Sequence, residues 1–386
     1  VVTDTASSWL TLAESRGDGD ATLAIFAARN PAEENREGTV SFVSDDGLTA
    51  TVRVTQGQVT VYPDGYVLPI QRSERGDSIH IVVLGEGFTE KDLEAGGRYE
   101  QVMCEAAEYF FTIEPYGFFR PFFTVSVIVA ESEEEGIGMG SASVRNKFST
   151  YRQSENSTRI VCDYERVRDF VGHCLPRTDS VTTCVIMVVN STEYAGSTNV
   201  YPDGSFAVSM CPMSEEEAPN DLEGLIHHEA GGHGFGLLGD EYSYYTDVEI
   251  TSAGKQAVRA AQQDGLWLNL DLTSDPGQIL WKDFLADTVK YPYVGAFEGG
   301  YYYGKGIWRP EYNSCMNDNI PYYNAQSRWL IVRRIMALSG LDEFAFEDFV
   351  DLDWVVPPPV DTAKTVSSRS LSRVLPPLAP PVVVGR

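Results

Sequence analysis

The sequence predicts an α/β layer domain preceded by a small all-β sandwich and followed by a proline-rich extended tail. Three observations predict it. Short alternating runs separated by turn residues fill residues 1–62. Across 63–352, apolar runs of strand length alternate with helix-like stretches. Residues 353–386 concentrate prolines, three between Val355 and Val360 and four between Pro376 and Pro381.

In the first segment, Trp9 to Leu12 is a strand-like start and Thr22 to Ala28 an apolar run of strand length. Thr39 to Ser44 alternates, Asp45-Asp46-Gly47 marks a hairpin turn, and Thr49 to Gln56 alternates again. Regular short strands of this kind read as an immunoglobulin-like sandwich. In the second segment, Ser78 to Gly85 reads as a buried strand. Thr89 with Asp92 looks like the cap of a helix running from Lys91 to Phe111. Pro121 to Ala130 is a further strand, and Thr182 to Val189 is apolar enough to be buried on both faces. The tail reads as an extended, surface-hugging arm.

Composition narrows the function. Of the 386 residues, 43% are hydrophobic and 22% charged, as in a folded protein rather than a disordered one. The formal net charge of −27 opposes binding to nucleic acid or anionic lipid. Apolar runs such as Cys184 to Val189 are far shorter than the ~20 residues of an integral membrane segment. The chain begins with Val1, so an export signal is expected outside it. Six cysteines without a CxxC pair argue against a cysteine-rich zinc module and allow up to three disulfides, with Cys162 and Cys174 placed to close a local loop. Gly85-Glu86-Gly87 lacks the Lys-Ser/Thr of a phosphate loop, and no Gly-x-Ser-x-Gly elbow occurs.

The chemistry concentrates between Asn220 and Tyr242. Asn220 or Asp221 can cap a helix there. Gly231, Gly232, Gly234 and Gly236 follow, each costing a helix interior ~1 kcal/mol relative to Ala. Repeated breach of a local rule marks a functional stretch. His228-Glu229 and then His233 approach the HExxH zinc signature, in which two His at i and i+4 hold the metal and the Glu acts on water. Here the spacing is i+5, which a regular α-helix rotates off the common face by ~140°. A π-bulge at Gly231-Gly232 absorbs the extra residue. The rival pairing of Glu229 with His233 is true i+4 but uses up the general base. His227 then faces away. The third ligand is expected to be Asp240, with Glu241 as the alternative and Tyr242 supporting the site. Downstream, Ser314-Cys315-Met316 fits the Met-turn that floors the metal in metzincins. Asn317, Asp318 and Asn319 form a polar turn whose oxygens are the alternative site for a structural Ca2+. Tyr301 to Tyr303, Tyr312, Tyr322 and Tyr323 are candidate oxyanion donors.

Two resemblances follow. Trp9-Leu10, Ala28 to Asn30, Arg36 with Gly38-Thr39-Val40, and Val54-Thr55-Gln56 resemble the BACON domain of exported proteins of gut bacteria. That implies a secreted, periplasmic or cell-surface setting, with the segment acting either as a spacer and folding partner for the next domain or in glycan or mucin contact. Leu84 to Thr89, Val188 to Ser197, His228 to Tyr242 and Ser314 to Asn317 resemble the IgA-peptidase family of zinc metallopeptidases. The chain departs from that family's HExxH by the one extra residue. The resemblance implies a zincin-like, metzincin-type fold with one catalytic Zn2+. It implies His228 and His233 as ligands, Glu229 as general base and a polypeptide or glycoprotein substrate. It also implies an edge strand over Asn190, Thr192, Tyr194 and Gly196 on which an extended peptide pairs. The alternative is an inactive surface-binding module on the same scaffold.

Overall fold

A computed structural model describes residues 2–385 except 6, 13–15, 17–22, 31, 33, 59, 77–78, 177–180, 342 and 359–374. At the N-terminus, β1 (Val2–Thr5), β4 (Arg36–Val43) and β5 (Thr49–Gln56) form an antiparallel sheet in the order β1-β4-β5, and β2 (Leu10–Leu12) pairs with β3 (Ile25–Ala27). The Asp46-Gly47 hairpin forms as predicted, with Gly47 at φ 84° and Val43 opposite Thr49. Alternation in β2 and β4 turns Leu10, Leu12 and Val40 into one apolar cluster with Ile25, Phe42 and Val54. Two small sheets thus share one core. The start of the predicted strand at Thr22 lies outside the described residues.

The main domain is built on a seven-stranded sheet ordered β18-β13-β14-β12-β7-β8-β6. Its strands are β6 (Val67–Gln71), β7 (Ile79–Glu86), β8 (Thr124–Ile128), β12 (Thr182–Val189), β13 (Ser197–Val200), β14 (Phe206–Pro212) and β18 (Val382–Val383). β7 and β12 are buried at all eight positions and pair in parallel, which is why Ile81 to Leu84 and Cys184 to Val189 read as unbroken apolar runs. One face, with Ile81, Val83, Ile186 and Val188, packs on α1 (Arg98–Tyr109) and on the helical stretch Ile226–Phe235, and α7 (Ala325–Leu338) joins the same apolar cluster. The other, with Val82, Leu84, Val185 and Met187, packs on α2 (Tyr164–Cys174). Among the smaller elements, β9 (Gly138–Met139), β10 (Tyr151–Arg152) and β11 (Ile160–Val161) form one sheet, and β15 (Ser243–Glu249), β17 (Tyr302–Arg309) and β16 (Phe297–Gly300) another.

Several predicted elements shift. Thr89 and Asp92 form a capping box, but on a 3₁₀ turn at Glu90–Asp92; Gly96, at φ 79°, separates it from α1. The strand predicted from Pro121 begins at Thr124, after a 3₁₀ turn. The predicted edge strand is a loop through Gly196. The Asn190 amide donates to Gly87 O (2.8 Å) and its oxygen accepts from Arg98 (2.9 Å), which turns the chain away from the sheet. The strand is β13, and β18 from the tail pairs along its outer side. All six cysteines are free thiols. Among the described residues no helix is long and apolar enough to cross a membrane.

The sheet carries a testable charge. Glu86, at the end of β7, is fully buried, and both its oxygens accept from Phe148 N (3.1 and 3.2 Å). Burial pushes its carboxyl up to about 8, against the pull of that N–H and of Arg166 and Lys147. The folded chain therefore holds a proton that the unfolded chain releases near the ordinary carboxylate value, so stability falls as pH rises between the two and levels off above 8. Glu86→Gln is expected to remove this component, worth up to about 1.4 kcal/mol per pH unit inside the window. Urea unfolding of both proteins across that range checks it: parallel curves would show that Glu86 does not carry the proton.

Candidate metal centre

Asp221 caps α3 (Leu222–Leu225), accepting from Gly224 N at 3.1 Å. The helix then widens into a ten-residue π-helix, Ile226–Phe235, every residue of it buried. The widening is longer than the single-turn bulge the spacing predicts. Its i→i+5 geometry brings residues five apart onto one face, so the His228 and His233 rings lie 4.8 Å apart and nearly perpendicular. Gly232 makes room for what lies beneath: a Cβ there would fall 2.2 Å from Met316 Sδ. Met316 is fully buried on α6 (Cys315–Asp318).

The ring nitrogens have distinct partners. His228 Nδ1 lies 3.0 Å from Cys315 O and His233 Nδ1 2.8 Å from Leu238 O. A carbonyl oxygen only accepts, so each Nδ1 carries the proton and each Nε2 presents a lone pair. Those Nε2 atoms sit 3.2 and 3.1 Å from Asp240 Oδ1, while Asp240 Oδ2 is buried without a hydrogen-bond partner. Three lone-pair donors converging in a buried site, one with an orphaned oxygen, fit a divalent cation. Among the described residues this is the only group of three or more His, Cys, Asp or Glu side chains close enough to hold one.

Glu229 lies beside this group, fully buried. Its Oε2 accepts from Thr198 Oγ1 (2.8 Å), and its Oε1 has no partner. Burial pushes its carboxyl up to about 7, opposed by the Thr198 hydroxyl. Gly196 allows the close approach, since a Cβ there would stand 2.7 Å from Glu229 Oε1. Thr198 escaped the sequence reading because nothing local distinguishes it from any other residue of a buried strand.

The remaining candidates divide. Glu241, the alternative ligand, is held away by Ser314 Oγ (2.6 Å), Asn324 (2.7 Å) and Asn269 (2.8 Å). His227 faces the other way, on Thr112 (2.9 Å) and Tyr109 O (2.8 Å). Tyr242 stacks on His228 at 6.3 Å, and its hydroxyl meets that of Tyr302 at 3.2 Å. Tyr194 bonds Asn319, whose amide also donates to Asn220. Asn317 donates to Asn313, so the amides of the supposed Ca2+ turn knit it to its surroundings. Asn190 and Thr192 lie on the loop that ends at Gly196.

The IgA peptidase M64 model matches residues 68–293, more than half of the chain and the stretch that carries both histidines, Glu229 and Asp240. The chain belongs to the IgA peptidase M64 family. Members of this family are metallopeptidases, and the His228–His233–Asp240 group is one that could hold their metal. Residues 1–57 match the BACON model, an N-terminal binding domain. No curated protein matches the chain. The M64 match ends before Met316, which is tied to the centre by Gly232 above it and by the Glu241 N–H on its carbonyl oxygen (2.8 Å).

Proposed function

We propose that this M64 chain is an exported, zinc-dependent endopeptidase of metzincin type that hydrolyses host proteins or glycoproteins, with immunoglobulin A and mucins as the substrates to try first. One observation carries it: two imidazole lone pairs and the Asp240 carboxylate converge beside a buried glutamate with a free oxygen.

When bound by His228, His233 and Asp240, Zn2+ supplies the Lewis acidity that makes water a nucleophile near neutral pH. Glu229 Oε1, free of any partner, takes the proton of the attacking water and returns it to the departing amine. Thr198 holds the other oxygen and so aims the carboxylate. The Cys315 and Leu238 carbonyls fix the ring tautomers. Met316 underlies the π-helix as an apolar floor. Residues 1–62 act as the BACON-type, immunoglobulin-like sandwich of an exported protein, and their two-sheet core supports that reading. A binding module that had lost turnover would have no use for a free carboxylate at Glu229.

Metal content tests the reading. About one zinc per chain is expected in wild type and none in His233→Ala. Chelation should stop cleavage of a denatured protein substrate and added zinc restore it. Equal metal in both proteins would refute the ligand set.

A further inference from the structure

The tail returns to the metal centre. The described chain resumes at Leu375 and crosses between two structural edges of the site. On one side, Thr158 Oγ1 donates to Pro377 O (2.7 Å) and Arg159 to Pro380 O (3.1 Å). On the other, the Tyr242 hydroxyl donates to Leu378 O (2.6 Å), and Tyr302 reaches the same oxygen (3.1 Å). Val382 and Val383 then run parallel to Asn199 and Val200, and Val384 N donates to Val200 O (2.9 Å). Each anchor adjoins the centre. Tyr242 stacks on His228. Thr158 O accepts from Gly196 N, the residue against which Glu229 rests. Leu378 is 2% exposed and joins the apolar cluster that holds Met316. With this segment in place, His228, Glu229, His233 and Asp240 are each at most 1% exposed.

An endopeptidase must admit a polypeptide to those groups, and the contacts around the tail are those a peptide site makes. Polar side chains grip four times at backbone carbonyls, and strand pairing adds main-chain bonds, a mode indifferent to most side chains. Four prolines keep the segment extended at low entropic cost. Tyr302 is presented under strain: Tyr301 and Tyr302 both have positive φ, 46° and 70°, held by bonds to Asp240 O and Tyr242 O. Leu375 and Pro376 border a cavity of about 870 Å3 that Thr158, Thr192 and Tyr194 also line.

We propose that residues 375–384 occupy the peptide groove of their own chain as an internal competitor, and that the groove accepts extended, proline-flanked peptides with an aliphatic residue at the position of Leu378. The proposal rests on the peptidase reading. The tether gives the segment a high local concentration, which is lost when the connection is cut.

The test uses the full chain carrying a site-specific protease sequence between Pro358 and Leu375, zinc-loaded and nicked after folding. Nicking is expected to raise cleavage of a denatured protein by about tenfold or more. The synthetic peptide of residues 375–385 should then suppress it, raising KM with kcat unchanged. Leu378→Asp in the unnicked chain should release activity in the same way. If the intact, nicked and Leu378→Asp chains cleave at equal rates, the proposal falls while the peptidase reading stands. If no form cleaves although zinc is bound, both fall.

Discussion

Glu229→Gln is expected to lower kcat/KM for protein cleavage by about 10²–10⁴-fold while zinc content stays at the wild-type value. The substitution preserves volume and leaves an amide for Thr198 to contact, but an amide takes no proton from water. The three metal donors are untouched, because their lone pairs come from His228, His233 and Asp240. Metal analysis beside the kinetic assay separates the two effects. Activity close to wild type in a zinc-loaded Glu229→Gln protein would remove Glu229 from the mechanism and reopen its rival role as a ligand.

Arg328→Ala is expected to cost about 3–5 kcal/mol of stability, a large part of the total for a marginally stable fold. Arg328 Nε and Nη2 meet the two Asp353 oxygens at 2.9 and 2.7 Å, and Nη1 donates to Tyr323 O at 2.6 Å. Both side chains are at most 2% exposed. Removing the cation strands a carboxylate that water does not reach. Arg328→Met with Asp353→Leu removes both charges together and should recover most of the loss. Urea unfolding of the single and double variants gives the comparison, and equal losses would mean that lost packing, not the stranded charge, sets the cost. The pair ties α7 to the end of α8 (Phe346–Leu352), and Tyr323 passes the constraint on by donating to His227 O inside the π-helix.

Much of the candidate site could be read in advance because its donors lie close in the chain. His228, Glu229, His233 and Asp240 fall within one helix and the turn after it, so spacing alone raised the need for a wider helical turn. The Asp46-Gly47 hairpin and the buried strand Thr182–Val189 were legible for the same reason, since turn chemistry and apolar periodicity are local. The choice between Asp240 and Glu241 was not local. These neighbours differ by which one meets Ser314, Asn269 and Asn324, residues brought in from distant segments.

The sequence by itself determined an α/β domain behind a small β unit, and a candidate set of metal donors with a glutamate among them. Tertiary structure alone decided that Thr198 aims Glu229, that residues 190–196 form a loop and that the tail covers β13 and the tyrosines of the centre. The reason is physical. Side-chain type and short-range spacing specify what a segment can form, whereas which strand edge stays open and which carbonyl meets a hydroxyl depend on pairings between residues far apart in the chain, which carry no signature in either partner alone.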